Sequence, residues 1–280
     1  MDFSKNTLLT SLNSNNNQLT SLDISNNISL LSLSCSLNEI ENLDISNNTK
    51  LLFLSCEQNE LTSLDVSQNI SLSSLKCYFN PLTSLDVSNN KSLSILRCFS
   101  NQLTSLDVSK NTSLTVLDCD NNDIETLDVS NNTSLLELSC GPNLLSNLDV
   151  SNNLSLEKLV CSYNPLINLD INKNTSLKIL YCLNNQLTSL DVTNNTSLTE
   201  LWCGDNQIKN LDVGNNTMLE KLRCENNQLT SLDVSINTLL TKLWCYGNQI
   251  SCIKVNESQL NNDVSNWDKD DTSTWSLECD

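Results

Sequence analysis

Two columns of reactive residues recur through this 280-residue sequence at a fixed spacing of 21. Cysteine stands at positions 35, 56, 77, 98, 119, 140, 161, 182, 203, 224 and 245, and aspartate at twelve positions from Asp2 through Asp23 to Asp233. Regularly spaced thiols could ligate a metal or cycle with disulfides, and a row of carboxylates could bind calcium or do acid–base work. The surrounding residues argue against each. Histidine is absent, which removes the commonest metal ligand and general base. No unit offers a second cysteine to the column, and disulfides between successive units would need unusual strain. The aspartates form a uniform row with no singular pair of the kind that β-helix hydrolases use. The turns around them lack the glycine-and-aspartate pattern of calcium β-rolls, so a calcium ladder is the less favoured reading. No nucleophile elbow, glycine-rich phosphate loop or metal motif occurs. What remains for the column cysteines is packing, since a buried thiol behaves as a small hydrophobe. What remains for the aspartates is charge: the row holds 12 of the 33 acidic residues, two thirds of the net charge of −18. Neighbours about 5 Å apart repel by roughly 1 kcal/mol in water. Flanking hydroxyls, as in Ser63-Leu64-Asp65-Val66-Ser67, and turn amides are therefore expected to hydrogen-bond the carboxylates.

The elements that position these columns follow from the unit itself, which from Leu93 reads LSILRCFSNQLTSLDVSKNTS. It has two halves, L-x-x-L-x-C-x-x-N-x and L-x-x-L-D-V-x-x-N-x-x. Leu30, Leu33, Ile40, Leu43 and Ile45, with their repeats, form apolar columns. Two further columns are always asparagine, one from Asn17 through Asn38 to Asn248 and one from Asn6 through Asn27 to Asn237. Alternation within L-x-C and L-D-V reads as strand, with the Leu, Cys and Val rows pointing inward. One unit cannot bury its apolar face alone, but stacked units make a continuous core. The asparagines suit inward turns, where an amide can satisfy buried loop backbone.

Each half resembles the strand-and-turn signature of leucine-rich repeats, and the whole resembles a nested 21-residue class found in bacterial surface and secreted proteins. The resemblance covers roughly residues 1–255. It implies a β-rich leucine-rich-repeat solenoid of about 12 turns, with short parallel strands, one or two per turn, and little helix. Strands are expected on the L-x-C side and extended or strand-like L-D-V segments opposite. The array is expected over 1–255, starting in mid-repeat, with a C-terminal cap over 256–280. That tail resembles the closing segment of secreted leucine-rich-repeat proteins of Bacteroidetes-type bacteria, through Cys252-Ile253 and Val255, Trp267, Asp270, Trp275 and Cys279. Cys252 and Cys279 are the two cysteines outside the column, a candidate disulfide that would imply an oxidising compartment. Signal and sorting segments are expected to be missing from the chain.

Composition narrows the function. Gly is 4 and Pro is 3, too few for an ordinary set of turns, while a hydrophobic fraction of 38% suffices for a core. The acidic balance makes nucleic acid an unsuitable partner. No apolar run of transmembrane length occurs, and MDFSKNTLLT is no signal peptide. The information lies on the L-x-C face. Its middle outward column runs Ser34, Ser55, Lys76, Arg97, Asp118, Ser139, Val160, Tyr181, Trp202, Arg223, Trp244, and the position after Cys adds Tyr78, Phe99 and Tyr246. The L-D-V face is monotonous Ser, Thr, Asn and Asp. Exposed Trp, Tyr and Arg mark recognition sites. The expectation is a non-catalytic adhesion module, monomeric, without cofactor or metal, at a bacterial cell surface. It would bind protein or glycan through Tyr181, Trp202, Arg223, Trp244 and Tyr246, with Arg97, Tyr78 and Phe99. A passive stalk or spacer is the alternative, with these side chains merely covering the sheet, and a carboxylate-based solenoid enzyme stands third.

Overall fold

The structure, a computed structural model, describes residues 3–261 and 266–279. Met1 and Asp2, which open the register and the aspartate row, lie outside the described residues, as do 262–265 and 280 of the expected cap. The chain forms two compact units, Met1–Leu144 and Leu145–Asp280.

In the first unit each turn contributes one three-residue strand: β1 Ser11–Asn13, β2 Ser32–Ser34, β3 Phe53–Ser55, β4 Ser74–Lys76, β5 Ile95–Arg97, β6 Val116–Asp118 and β7 Glu137–Ser139. Each pairs with the next in parallel, offset by one period, so that Leu33 lies beside Leu12 and Leu54. The central leucine is inward and its neighbours point out, as the alternation predicts. Leu30, Leu33, Cys35, Ile40 and Ile45 are all buried. Cys35 follows the strand, and its amide donates to the Ser55 carbonyl at 2.9 Å. The thiols are packing groups: burial pushes Cys77 up to about 12, so the column stays protonated.

Both asparagine columns sit at inward corners, where the backbone turns and its carbonyls face the interior. Asn48 Nδ2 donates to Ile24 O at 3.1 Å and Asn27 O at 2.9 Å. Asn59 Nδ2 donates to Cys35 O and Cys56 O at 3.0 and 3.1 Å, while its Oδ1 accepts from the Ile40 amide at 3.0 Å. Losing such an amide would strand buried carbonyls, at about 1–3 kcal/mol each.

The L-D-V segments of this unit carry no strand among the described residues. Asp44 Oδ1 accepts from the Ser46 amide at 2.9 Å and the Ser46 hydroxyl at 2.7 Å, which turns the chain immediately after the aspartate.

The second unit repeats the pattern with β8 Lys158–Val160, β9 Ile179–Tyr181, β10 Glu200–Trp202, β11 Lys221–Arg223 and β13 Lys242–Trp244. Near its end the L-D-V side does form strands: β12 Leu232–Asp233 pairs with β14 Cys252–Lys254, and β14 with β16 Thr274–Ser276. Lys254 occupies the aspartate position there and bridges Asp233 at 3.2 Å. Helix α1, Glu257–Asn261, is capped reciprocally: the Asn256 amide donates to Gln259 Oε1 and the Gln259 amide to Asn256 Oδ1. Gln259 also takes over the corner ladder, its Nε2 reaching Val234 O and Asn237 O, both at 3.0 Å. Strand β15, Trp267–Asp268, closes on β13, Trp267 meets Trp275 edge to face, and Cys252 is bonded to Cys279.

One backbone feature recurs just before the corner asparagine. Asn16, Leu37, Gln58, Phe79, Ser100 and Asn121 in the first unit, and Tyr163, Asn184, Asp205, Asn226 and Gly247 in the second, all have positive φ. Asparagine and glycine tolerate this region, whereas other L-residues lose about 1–2 kcal/mol in it. Leu37 is 47% exposed, so its side chain recovers little of that. Leu37→Asn should stabilise the protein by about 0.5–1 kcal/mol, a rise in melting temperature of about 1–3 °C. Calorimetry checks this, and a lower melting temperature would mean that the leucine packs better than its exposure indicates.

Candidate binding site on the strand face

The outward column of the second unit is built by register. Tyr181, Trp202, Arg223 and Trp244 are mutual neighbours on β9, β10, β11 and β13. Tyr181 and Trp202 stack with centroids 3.9 Å apart and planes at 13°. Arg223 lies over both indoles, its Cζ 5.2 Å from Trp202 and 4.3 Å from Trp244. All four are half-buried. Tyr246 stands in the next column and makes no ring contact among the described residues.

The second outward column is Glu200, Lys221 and Lys242. Glu200 accepts from Lys221 Nζ at 2.7 Å and from Tyr181 OH at 2.5 Å. Partial burial pushes this carboxyl up, but the lysine and tyrosine bonds outweigh it and hold it below the usual range. Burial and the Glu200 carboxylate push the Tyr181 phenol well above its ordinary value. Lys242 turns to the Trp244 ring at 4.0 Å.

The third column holds the buried anchor. Glu225 is 1% exposed and accepts from Arg223 Nε at 2.9 Å, with a second bond from Nη2. Its carboxylate lies against Gly204, where a Cβ would come within 2.7–2.9 Å of three carboxyl atoms. Gly204 thus makes room for Glu225, and Glu225 holds Arg223 between the indoles. Glu225 Oε2 and Trp202 Nε1 are buried with no hydrogen-bond partner among the described residues.

In the first unit Tyr78 and Phe99 stack at 4.2 Å, and Arg97 lies between Lys76 and Asp118 in register. Asp120 accepts from the Ser139 hydroxyl at 2.8 Å and from the Gly141 amide. The expected residues are therefore brought together in two clusters, one per unit. Sequence reasoning passed over Glu200, Lys221, Lys242 and Gly204, and met Glu225 only as an occupant of the variable column after Cys. Opposite charges one period apart, Glu200 and Lys221, were the available signal for the first two.

On the other side, every described aspartate of the row accepts from the amide two residues on, as Asp65 does from Ser67 at 2.8 Å and Asp191 from Thr193 at 3.0 Å. These bonds hold Asp44, Asp65, Asp86, Asp107 and Asp191 below the usual carboxylate range. No cluster of three metal-ligating side chains occurs among the described residues.

Two outcomes follow. A carboxyl depressed on folding contributes stability above its unfolded pKa, lost as pH falls through the folded value. The melting temperature should hold from pH 7 to 5 and fall below about pH 4; a rise on acidification would show that repulsion along the row dominates. Gly204→Ala should displace Glu225 and loosen Arg223, lowering stability by about 1–3 kcal/mol and red-shifting tryptophan emission. Unchanged emission and melting would sink that reading.

No family model and no curated protein sequence matches the chain. Solved structures do. The functional domain of InlJ from Listeria monocytogenes, which includes a cysteine ladder, is 36% identical over 96% of this chain, with a TM-score of 0.83. The chain spans 65% of that protein's length. The internalin InlF of Listeria monocytogenes, 21% identical, covers 96% of this chain and 88% of its own at a TM-score of 0.82, a likeness of fold alone. A leucine-rich-repeat protein of Leptospira interrogans is 25% identical over 94% of this chain and 84% of its own, at 0.68. The chain therefore has the leucine-rich-repeat fold, a parallel β-solenoid of about 12 turns with almost no helix.

Proposed function

We propose that the chain is a non-catalytic binding module that engages a protein partner through its variable strand face. The observation that carries this is the contrast between the two sides. On the L-D-V side each aspartate repeats one local turn, whereas on the strand side aromatics, cations and acids form individual clusters. The ring geometry favours protein over glycan here. Trp202 lies between Tyr181 and Arg223, so its faces are taken up and a partner meets edges and charged groups. A sugar would need an open ring face.

The site centres on Tyr181, Trp202, Arg223 and Trp244, with Tyr246 beside them, and a second centre at Tyr78, Arg97 and Phe99. Residues 256–280 act as the cap of the array. The disulfide supports an extracytoplasmic adhesion role, which the chain would fill as a monomer. Among the described residues no helix is long and apolar enough to cross a membrane. One observation favours the spacer reading: the stack satisfies itself.

Screening the purified chain on a protein array, followed by surface plasmon resonance, separates the two. Trp202→Ala and Trp244→Ala should each weaken the partner found by more than about 1 kcal/mol, roughly fivefold. Ser189→Ala and Ser231→Ala, on the L-D-V side, should have no effect. If both sides respond alike, or neither tryptophan matters, the chain is a spacer.

A further inference from the structure

Two corners of the solenoid depart from the column pattern in the same way. Phe79-Asn80-Pro81 in the first unit and Tyr163-Asn164-Pro165 in the second are the same aromatic–Asn–Pro tripeptide, four periods apart in sequence. Each departure costs the frame twice. Phe79 and Tyr163 are bulky side chains at positive φ, 52° and 59°, in a column where asparagine is the commonest occupant. In most other turns the residue after the corner asparagine donates its amide to the preceding turn, as Glu60 does to Ile40 O at 3.0 Å and Gln102 to Leu82 O at 2.9 Å. Proline has no such donor, and no hydrogen bond reaches the buried Leu61 or Leu145 carbonyl among the described residues. Paired local losses that packing does not repay point to a functional position.

What the corner gains is an apolar surface on a flank where Gln, Glu and Asn are the commonest residues and Leu37 and Leu144 are the other exposed apolar ones. Phe79 is 49% exposed and Tyr163 55%. The Phe79 ring stands at 72° and 79° to the stacked Tyr78 and Phe99, with centroids 5.8 and 5.3 Å away, so it is braced from behind. Beside it lies a shallow, open depression of about 370 Å³ lined by Phe79, Pro81, Ser100, Gln102 and Asn121 with neighbouring asparagines. Every side chain lining it is uncharged, in a chain of net charge −18.

We propose that the Phe79–Pro81 corner is a binding site for a neutral saccharide; Tyr163–Pro165 repeats its tripeptide but has Ser162, Leu183 and Asp205 where the first corner has Tyr78, Phe99 and Asn121. The site lies outside the strand-face column of Tyr181, Trp202, Arg223 and Trp244, and its ring is braced by Tyr78 and Phe99. An exposed, braced ring takes the C–H face of a sugar. The Gln102 amide both donates and accepts, and Ser100 Oγ accepts from Asn121 Nδ2 at 3.1 Å, leaving its own proton to donate. A sugar hydroxyl likewise donates and accepts at one atom. A peptide adding as a strand would need free main-chain partners, and the amides of Phe79, Ser100 and Gln102 are already committed to neighbouring turns.

The test is calorimetric titration and saturation-transfer NMR with maltotetraose, cellotetraose and chitotetraose, beside a proline-rich decapeptide. At least one tetrasaccharide should bind, with transfer from aromatic protons. Phe79→Asn or Pro81→Gln should weaken that binding at least about tenfold, and Tyr163→Asn should leave it unchanged. These substitutions restore residue types the columns use elsewhere, so the melting temperature should hold or rise. Trp202→Ala and Trp244→Ala should leave saccharide binding unchanged, which separates this site from the strand face. The proposal is overturned if no tetrasaccharide binds, if binding survives Phe79→Asn, or if the tryptophan variants abolish it. It is equally overturned if only the peptide binds and loses affinity in the corner variants, or if Phe79→Asn lowers the melting temperature.

Discussion

The fate of the backbone carbonyls at the inward corners governs the rest of this molecule. A three-residue strand satisfies only its own backbone, and a 21-residue turn must still bend back on itself. Each bend sends carbonyls into an interior where no water replaces a missing donor. The side-chain amide of asparagine is short enough to stay in the corner and carries two hydrogens. Asn48 gives both to the preceding turn, whereas Asn59 gives one to the preceding turn and one to its own. The two columns differ in what they need. Asn59 Oδ1 also accepts a main-chain amide, but the buried Asn48 and Asn69 oxygens have no hydrogen-bond partner among the described residues. That column needs donors alone, and so Gln259 can serve it after Asn237, where an aspartate would have nothing to give.

Once the corners are fixed, every strand within a unit begins at the same place, and outward side chains in one column sit about 4.8 Å apart. That spacing leaves few arrangements. Aromatic neighbours lean together and stack, as Tyr181 and Trp202 do. Opposite charges pair, as Glu200 and Lys221 do at 2.7 Å. Like charges must find another outlet: Lys242 lies beside Lys221 in register and turns its ammonium to the Trp244 ring. The strand-face cluster is thus a consequence of the frame's spacing acting on a particular set of side chains. Its character changes from turn to turn because nothing in the core depends on those positions.

How much of this was legible in the sequence depended on whether a column repeats. The period, the inward Leu, Cys and Val rows and the corner asparagines are visible because the same residue type returns at every turn, and Cys252 and Cys279 stand out because they do not. The L-D-V segments read as strand-like; β12 and β14 are strands, whereas the first unit carries none on that side among the described residues, and the alternation itself does not tell the two apart. The positive-φ column is harder to see because its occupants vary from Leu37 to Tyr163; an excess of asparagine at Asn16, Asn121, Asn184 and Asn226 was the only trace. The seat of Glu225 over Gly204 was not legible at all, because it joins two turns through a side-chain conformation that no column pattern fixes.

A repeat supplies its own reference. The common residue of a column measures what the frame requires, and a departure measures what it can bear. Departures on the outward strand positions cost the core nothing, since their side chains never enter it. Departures such as an aromatic at positive φ, or a proline in place of a ladder donor, do cost stability, and a compact globular core would concentrate that loss. A solenoid spreads it, because each turn is held by its own interfaces with the turns on either side. Recognition can then be placed turn by turn along a face or flank, with no need for one deep cavity. The aspartate row fits the same logic. Its carboxylates are held ionised by local amides, which keeps one side hydrated and repellent and leaves contact to the strand face and its adjoining corners.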